Sequence, residues 1–129
     1  MNNMNRKKVL LIDEDDTILD IYYSLLIREG YCVSTVNNGN KALEMLHRQP
    51  FDIIITDLTM RRENGQTVLE EIRGNFPLTP VIALTDSLSN TAKLFALSMG
   101  AFALIVKPCG CEILLSFIRK SLRAKRKYQ

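Results

Sequence analysis

Along the chain, short apolar runs rich in branched side chains alternate with longer segments whose apolar positions recur at helical spacing. The short runs predict strands over Val9–Ile12, Cys32–Val36, Ile53–Thr56, Val81–Leu84 and Ala103–Val106. "VLLI" and "DIIIT" are apolar at successive positions, the pattern of parallel strands covered on both faces. A first helix is read from Ile18, Ile21, Tyr22 and Leu25, with Gly30 at its C′ position. Ala42, Leu43 and Leu46 mark a second, opened by "NNGN" and closed before Pro50, and Val68, Leu69 and Ile72 a short third. Ala92, Phe95, Ala96 and Met99 mark a fourth that ends at Gly100. Ile113, Leu114, Phe117, Ile118 and Leu122 mark a fifth. Tyr22 and Phe95, at helical spacing, are read as core.

Five strand–helix units in alternation predict an α/β fold: a doubly wound parallel sheet with right-handed crossovers. Such sheets bind ligands beyond the carboxyl ends of their strands. At those ends stand Asp13 and Glu14 after the first strand, Asp57 after the third, Thr85 after the fourth and Lys107 after the fifth. The first of these ends is the most demanding. "KVLLIDEDDTIL" passes from an apolar run into four consecutive acids, Asp13 to Asp16, whose mutual repulsion has no use in packing.

At 129 residues the chain is read as one domain, 1–129, long enough for a two- or three-layer core. No apolar run approaches the ~20 residues needed to cross a bilayer. The opening "MNNMNRKK" lacks the apolar stretch of a signal peptide, so no membrane partner and a cytoplasmic location are expected. The net charge of +3 conceals an uneven distribution. Arg119, Lys120, Arg123, Lys125, Arg126 and Lys127 supply six of the 17 bases, which leaves 11 bases against 14 acids over residues 1–118. The basic tail, residues 119–129, is read as a solvated helix end with cations favoured by the helix dipole. Contact of that tail with nucleic acid or acidic lipid is the alternative, and no nucleic-acid partner is expected for the domain itself. Three cysteines leave one unpaired in any disulfide scheme. Cys109 and Cys111, with His47 far off in sequence, fall short of a zinc set, so the thiols are read as reduced and structural.

Grouped carboxylates at a sheet edge either share protons or hold a hard cation such as Mg²⁺. A lysine and a hydroxyl opposite would clamp phosphoryl oxygens, and an aspartate can itself accept a phosphoryl group. "LLIDED", "DIIITDLTM", "VIALT" and "GAFALIVKP", in this order and at these strand ends, resemble a response-regulator receiver domain of two-component signalling. The resemblance covers about residues 7–124. It implies a flavodoxin-like strand order 2-1-3-4-5 and a signalling domain that catalyses only its own phosphorylation and dephosphorylation. By this likeness Asp57 is the phosphoacceptor, supplied by the phosphohistidine of a histidine kinase or phosphotransfer protein. Asp13, Glu14, Asp57 and the backbone carbonyl of Thr59 match the Mg²⁺ (or Mn²⁺) ligands. Thr85 and Lys107 match the residues that contact the phosphoryl group and drive the switch. The Lys107–Pro108 bond is commonly cis in the family. Asp15 and Asp16, outside that site, are read as caps and dipole partners of the first helix.

Several positions depart from the family pattern. Arg61 and Arg62 stand where Pro-Gly is usual. Asp86 replaces the small residue after the switch threonine and adds negative charge near the phosphoryl pocket. Leu104 replaces the aromatic that rotates inward on activation. Thr59, Asp86 and Ser87 are the candidates for tuning rates. These departures keep open a degenerate receiver, an interaction module that works without phosphorylation. "DEDDT", with Asp13 as nucleophile and Asp15 as general acid, also resembles the first motif of haloacid-dehalogenase-like phosphatases. That reading lacks the acidic pair needed after the lysine, since only Glu112 follows Lys107. A downstream protein, or a second copy, is expected on the face of the fourth helix, fifth strand and fifth helix. There Leu94 and Leu97 widen the apolar arc. A stand-alone regulator and a fragment ending in a basic linker both remain open.

Overall fold

The structure, a computed structural model, describes residues 6–127 and, of residues 125–127, the backbone alone. Residues 1–5 and 128–129 of the expected domain, and the side chains of Lys125, Arg126 and Lys127 in the basic tail, lie outside the described residues.

Five parallel strands form one sheet: β1 (Lys8–Ile12), β2 (Cys32–Val36), β3 (Ile53–Asp57), β4 (Val81–Thr85) and β5 (Ala103–Val106). Their order is β2-β1-β3-β4-β5, as expected. β3 and β4 each run one residue further than the apolar pattern, because Asp57 pairs with Leu84 and Thr85 with Val106. The helices are α1 (Asp16–Arg28), α2 (Gly39–Arg48), α3 (Val68–Asn75), α4 (Asn90–Ser98) and α5 (Cys111–Lys127). Strand residues alternate between two cores. Leu10, Ile12, Ile54, Val81 and Ala83 pack with α2, α3 and α4, while Val9, Leu11, Ile53, Ile55, Ile82 and Leu84 pack with α1 and α5. Both sheet faces are therefore dry, which explains strands without polar alternation.

Two helical stripes differ in phase from the reading above. In α1 the buried set is Ile18, Leu19, Tyr22, Leu25 and Leu26, and Ile21 is 51% exposed. In α5, Leu114, Leu115 and Ile118 are buried while Ile113 is 52% exposed. Each helix carries more apolar residues than one face can hold, and packing against the sheet selects among them. The N-cap of α1 is Asp15, whose carboxylate accepts from the Thr17 and Ile18 N–H groups. Asp16 occupies the first turn and accepts from the Asn37 side chain. Gly30 follows α1 with φ of 94°, the left-handed region that favours glycine.

Phe95 is half-buried rather than core, and Ala96 is the one α4 residue fully covered. Leu94 and Leu97 are 66% and 76% exposed. All three cysteines are free thiols, and Cys32 and Cys111 are exposed. Cys109 meets Tyr22 twice: its N–H donates to the Tyr22 hydroxyl at 3.0 Å and its Sγ lies 3.4 Å from the same oxygen. Among the described residues no helix is long and apolar enough to cross a membrane.

Candidate functional site

The parallel ladders carry the strand ends to one edge. Ile12 pairs with Thr56, Asp57 with Leu84, and Thr85 with Val106, so Asp13, Asp57, Thr85 and Lys107 lie along a single rim. Lys107 reaches back from the end of β5 and its Nζ donates to Asp13 Oδ2 at 2.6 Å. The same ammonium lies 3.6 Å from Asp57 Oδ1 and 4.0 Å from Asp86 Oδ1. Asp13 Oδ1 accepts from the Asp15 N–H at 2.9 Å, which fixes the carboxylate plane. The Lys107–Pro108 peptide is cis.

Burial shapes the charges. The Lys107 and Asp13 side chains are 7% and 3% exposed, and Asp57 is 16% exposed. Burial pushes the Asp57 carboxyl above the usual aspartate range; the Lys107 ammonium pulls it down and the Asp13 charge pushes it up again. Burial also disfavours the Lys107 ammonium. The hydrogen bond to Asp13 and the charges of Asp57, Asp13 and Asp86 outweigh that, so its pKa is raised. Lys107 therefore stays charged, and Asp57 is a half-buried carboxylate with one cation beside it.

Not every expected member joins this group. Glu14 is exposed, and among the described residues it enters no hydrogen bond or ion pair. Nor, among the described residues, do three acidic side chains stand close enough to form a ready cation cage. The hydroxyl of Thr85 is taken up by Ser87: it donates to the Ser87 carbonyl at 2.9 Å and accepts from the Ser87 N–H at 3.3 Å. Leu104 is half-buried against the core that includes Ala83 and Ala96.

Several contacts had no counterpart in the sequence reading. Thr59 Oγ1 donates to Asp57 Oδ2 at 3.3 Å, so its side chain faces that carboxylate. The D-x-T spacing, which favours such short loops, is the signal that could have shown it. Arg62, in place of the family's Pro-Gly, pairs with Glu71 and donates to Asn40 Oδ1 at 2.8 Å. Arg61 is held by backbone pairing with Thr67, and α2 presses on it so closely that a Cβ on Gly39 would meet the Arg61 carbonyl at 2.8 Å. The loop after Asp57 is thus fixed by charge and close packing rather than by a proline turn. Beside it opens a cleft of about 400 Å³ lined by Thr59, Arg61, Thr85, Ser87 and Phe95.

The donor set suits a hard divalent cation: Asp13 and Asp57 carboxylates and the Thr59 carbonyl are oxygen ligands of the kind Mg²⁺ takes, and two of them already share a positive charge. Asp15 is spent as the α1 cap, which removes it from the phosphatase-like arrangement.

Over most of its length the chain resembles known proteins. The sequence profile of the response regulator receiver domain matches residues 9–119. The alginate biosynthesis transcriptional regulatory protein AlgB of Pseudomonas putida is 32% identical over 122 residues, 95% of this chain and 27% of that protein. The transcriptional regulatory protein ZraR of Escherichia coli is 32% identical over 114 residues, 88% of this chain and 26% of that protein. The chain thus spans about a quarter of the length of these curated relatives. Among solved structures, a CheY-like response regulator receiver domain protein from Methanospirillum hungatei superposes with a TM-score of 0.87 at 26% identity, covering 97% of this chain and 100% of that one. The beryllofluoride-activated NtrC4 receiver domain dimer superposes with a TM-score of 0.82 at 25% identity, covering 92% and 98%. The chain belongs to the response-regulator receiver domains.

Proposed function

We propose that Asp57 accepts a phosphoryl group from the phosphohistidine of a histidine kinase or phosphotransfer protein, and that the modified domain changes its binding to a partner. The observation that carries this reading is Asp57 itself, half-buried at the end of β3 with the Lys107 ammonium 3.6 Å away and the Thr59 hydroxyl on its other oxygen. A carboxylate oxygen attacks phosphorus, the phosphorus–nitrogen bond breaks, and its electron pair returns to the imidazole. Lys107 is placed to neutralise the incoming phosphoryl oxygens, and Thr85 becomes a second contact once its hydroxyl leaves Ser87.

Asp13, Glu14, Asp57 and the Thr59 carbonyl would hold Mg²⁺ or Mn²⁺, with Glu14 turning in from its exposed position. A bound cation supplies charge neutralisation on the phosphoryl oxygens. The downstream partner, a protein or a second copy, is assigned to the face of α4, β5 and α5, where Leu94 and Leu97 stand exposed. A cytoplasmic site of action goes with this reading.

A second reading has support of its own. With Asp86 crowding Lys107 and Thr85 tied to Ser87, the fold could serve as a receiver that binds partners without phosphorylation. Incubation with phosphoramidate and Mg²⁺, borohydride reduction and peptide mass spectrometry separates the two. We expect one acid-labile phosphoryl group on Asp57, absent from Asp57→Asn. Label at Asp13 would point to the phosphatase-like chemistry, and no label with any donor would leave the phosphorylation-independent module.

A further inference from the structure

The turn after β4 sets a third carboxylate against the ammonium. Thr85 and Ser87 close on each other through two hydrogen bonds, at 2.9 and 3.3 Å, and Asp86 stands at the tip of that turn. Its side chain is 92% exposed, yet Oδ1 lies 4.0 Å from Lys107 Nζ. Asp13 and Asp57 meet the same nitrogen at 2.6 and 3.6 Å. One cation serves three anions, and among the described residues no other basic side chain pairs with any of them.

We propose that Asp86 is a positioning residue that competes with the phosphoryl group for Lys107, and so sets both how fast Asp57 gains the group and how long it keeps it. The inference rests on Asp57 as the phosphoacceptor. A phosphoryl dianion on Asp57 requires the Lys107 ammonium and the Thr85 hydroxyl, and one short turn engages both. Drawing the hydroxyl toward phosphorus opens its bonds to Ser87, which frees the backbone that carries Asp86. The Asp86 charge, 4.0 Å from the same ammonium, raises the energy of an approaching anionic donor and of the aspartyl phosphate once formed.

Loss of the group is affected in the opposite sense. A water oxygen bonds to phosphorus and the bond to the Asp57 oxygen breaks, its electron pair returning to the carboxylate. One water proton stays on the phosphate and the other goes to solvent. Negative charge moves from the phosphoryl oxygens toward Asp57 as the bond lengthens. The repulsion from Asp86 is relieved in that transition state, so hydrolysis is accelerated. An exposed charge at this distance changes each rate by about three- to five-fold at low ionic strength, and salt screens it.

The test measures gain of label from phosphoramidate with Mg²⁺, and its loss after donor removal, by intact mass. Wild type, Asp86→Asn, Asp86→Ala and Asp86→Glu are compared at low and high salt. Asp86→Asn and Asp86→Ala should gain label about three- to five-fold faster and lose it about three- to five-fold more slowly at low salt, with the differences shrinking as salt rises. Asp86→Glu should stay near wild type. Labelling at Asp57 with equal rates in Asp86→Asn and wild type overturns this inference alone, as does Asp86→Glu behaving like the neutral variants. Absence of label from every variant overturns the acceptor reading and this inference with it.

Discussion

Lys107 Nζ donates to Asp13 Oδ2 at 2.6 Å, across 94 residues of sequence, and joins the end of β5 to the end of β1. The pair is almost fully buried, with side-chain exposures of 7% and 3%. Removing one partner of such a pair leaves the other charged and uncompensated, at a cost of about 3–5 kcal/mol.

On the proposed metal-binding reading, Lys107 and a divalent cation are rivals for Asp13. Lys107→Ala should lower thermal stability in the absence of Mg²⁺ and regain part of it when Mg²⁺ is added, by more than wild type gains. Amide chemical shifts at residues 13–15 and 57–59 should follow Mg²⁺ in wild type and not in Asp13→Ala. Shifts confined to other regions, or unchanged in Asp13→Ala, would remove these residues from the metal site.

Arg62 and Glu71 give a pH-dependent contribution of calculable sign. Burial alone would raise the Glu71 carboxyl; the hydrogen bonds from Arg62 and Asn64 outweigh it and hold it below the ordinary glutamate value. A carboxylate with a lowered folded-state pKa stabilises the fold above its unfolded value, and the gain is lost as pH falls through the folded value. Arg62→Ala should therefore cost roughly 0.5–1 kcal/mol near neutral pH, discounted because the arginine is about a third exposed. The difference from wild type should close on acidification below the glutamate range. A gap that persists at low pH would mean that Arg62 acts through its bond to Asn40 instead.

Tyr22 offers the alkaline counterpart. Burial, then its hydrogen bond to Cys109, pushes its hydroxyl up to about 12. The folded state prefers the neutral phenol, so stability present below the ordinary tyrosine range is lost as pH rises from there toward about 12. Absorbance titration should show a late component that is lost in Tyr22→Phe, while Tyr31, itself raised by burial, remains. The same variant leaves the Cys109 N–H without its acceptor and should cost about 1–2 kcal/mol at neutral pH. An unchanged titration curve would move the late phenol elsewhere.

The sheet was readable from sequence because strands such as Ile53–Asp57 are apolar throughout and need no phase to be recognised. Helical phase was harder. Ile21 and Leu19 both satisfy a 3.6-residue stripe with Tyr22 and Leu25, and only packing against the sheet selects Leu19. Strand ends likewise announced Asp13, Asp57, Thr85 and Lys107, since topology alone carries them to one edge. What each side chain does there was not legible. Lys107 lies 94 residues from Asp13, and no local pattern encodes that bond. Nor does any local pattern encode Arg62 reaching Asn40 across 22 residues, or the exposure of Glu14 beside a buried Asp13.

The ladder pairs that align the rim also govern which changes of length the chain can bear. In β1, β3, β4 and β5 the residue that enters the rim is the last of the ladder or the first beyond it, and successive side chains point to opposite faces. Deleting a single residue within Ile53–Asp57 puts the residues before it out of phase with those after it, so that either Asp57 turns away from Lys107 or the isoleucines before the gap change cores. The same deletion among residues 63–66, all exposed, shifts no strand. Natural variation in length should therefore be confined to the connections and be absent from the five strands. A homologue that gained or lost a residue inside β3 would have to give up either the place of Asp57 on the rim or the packing of its isoleucines.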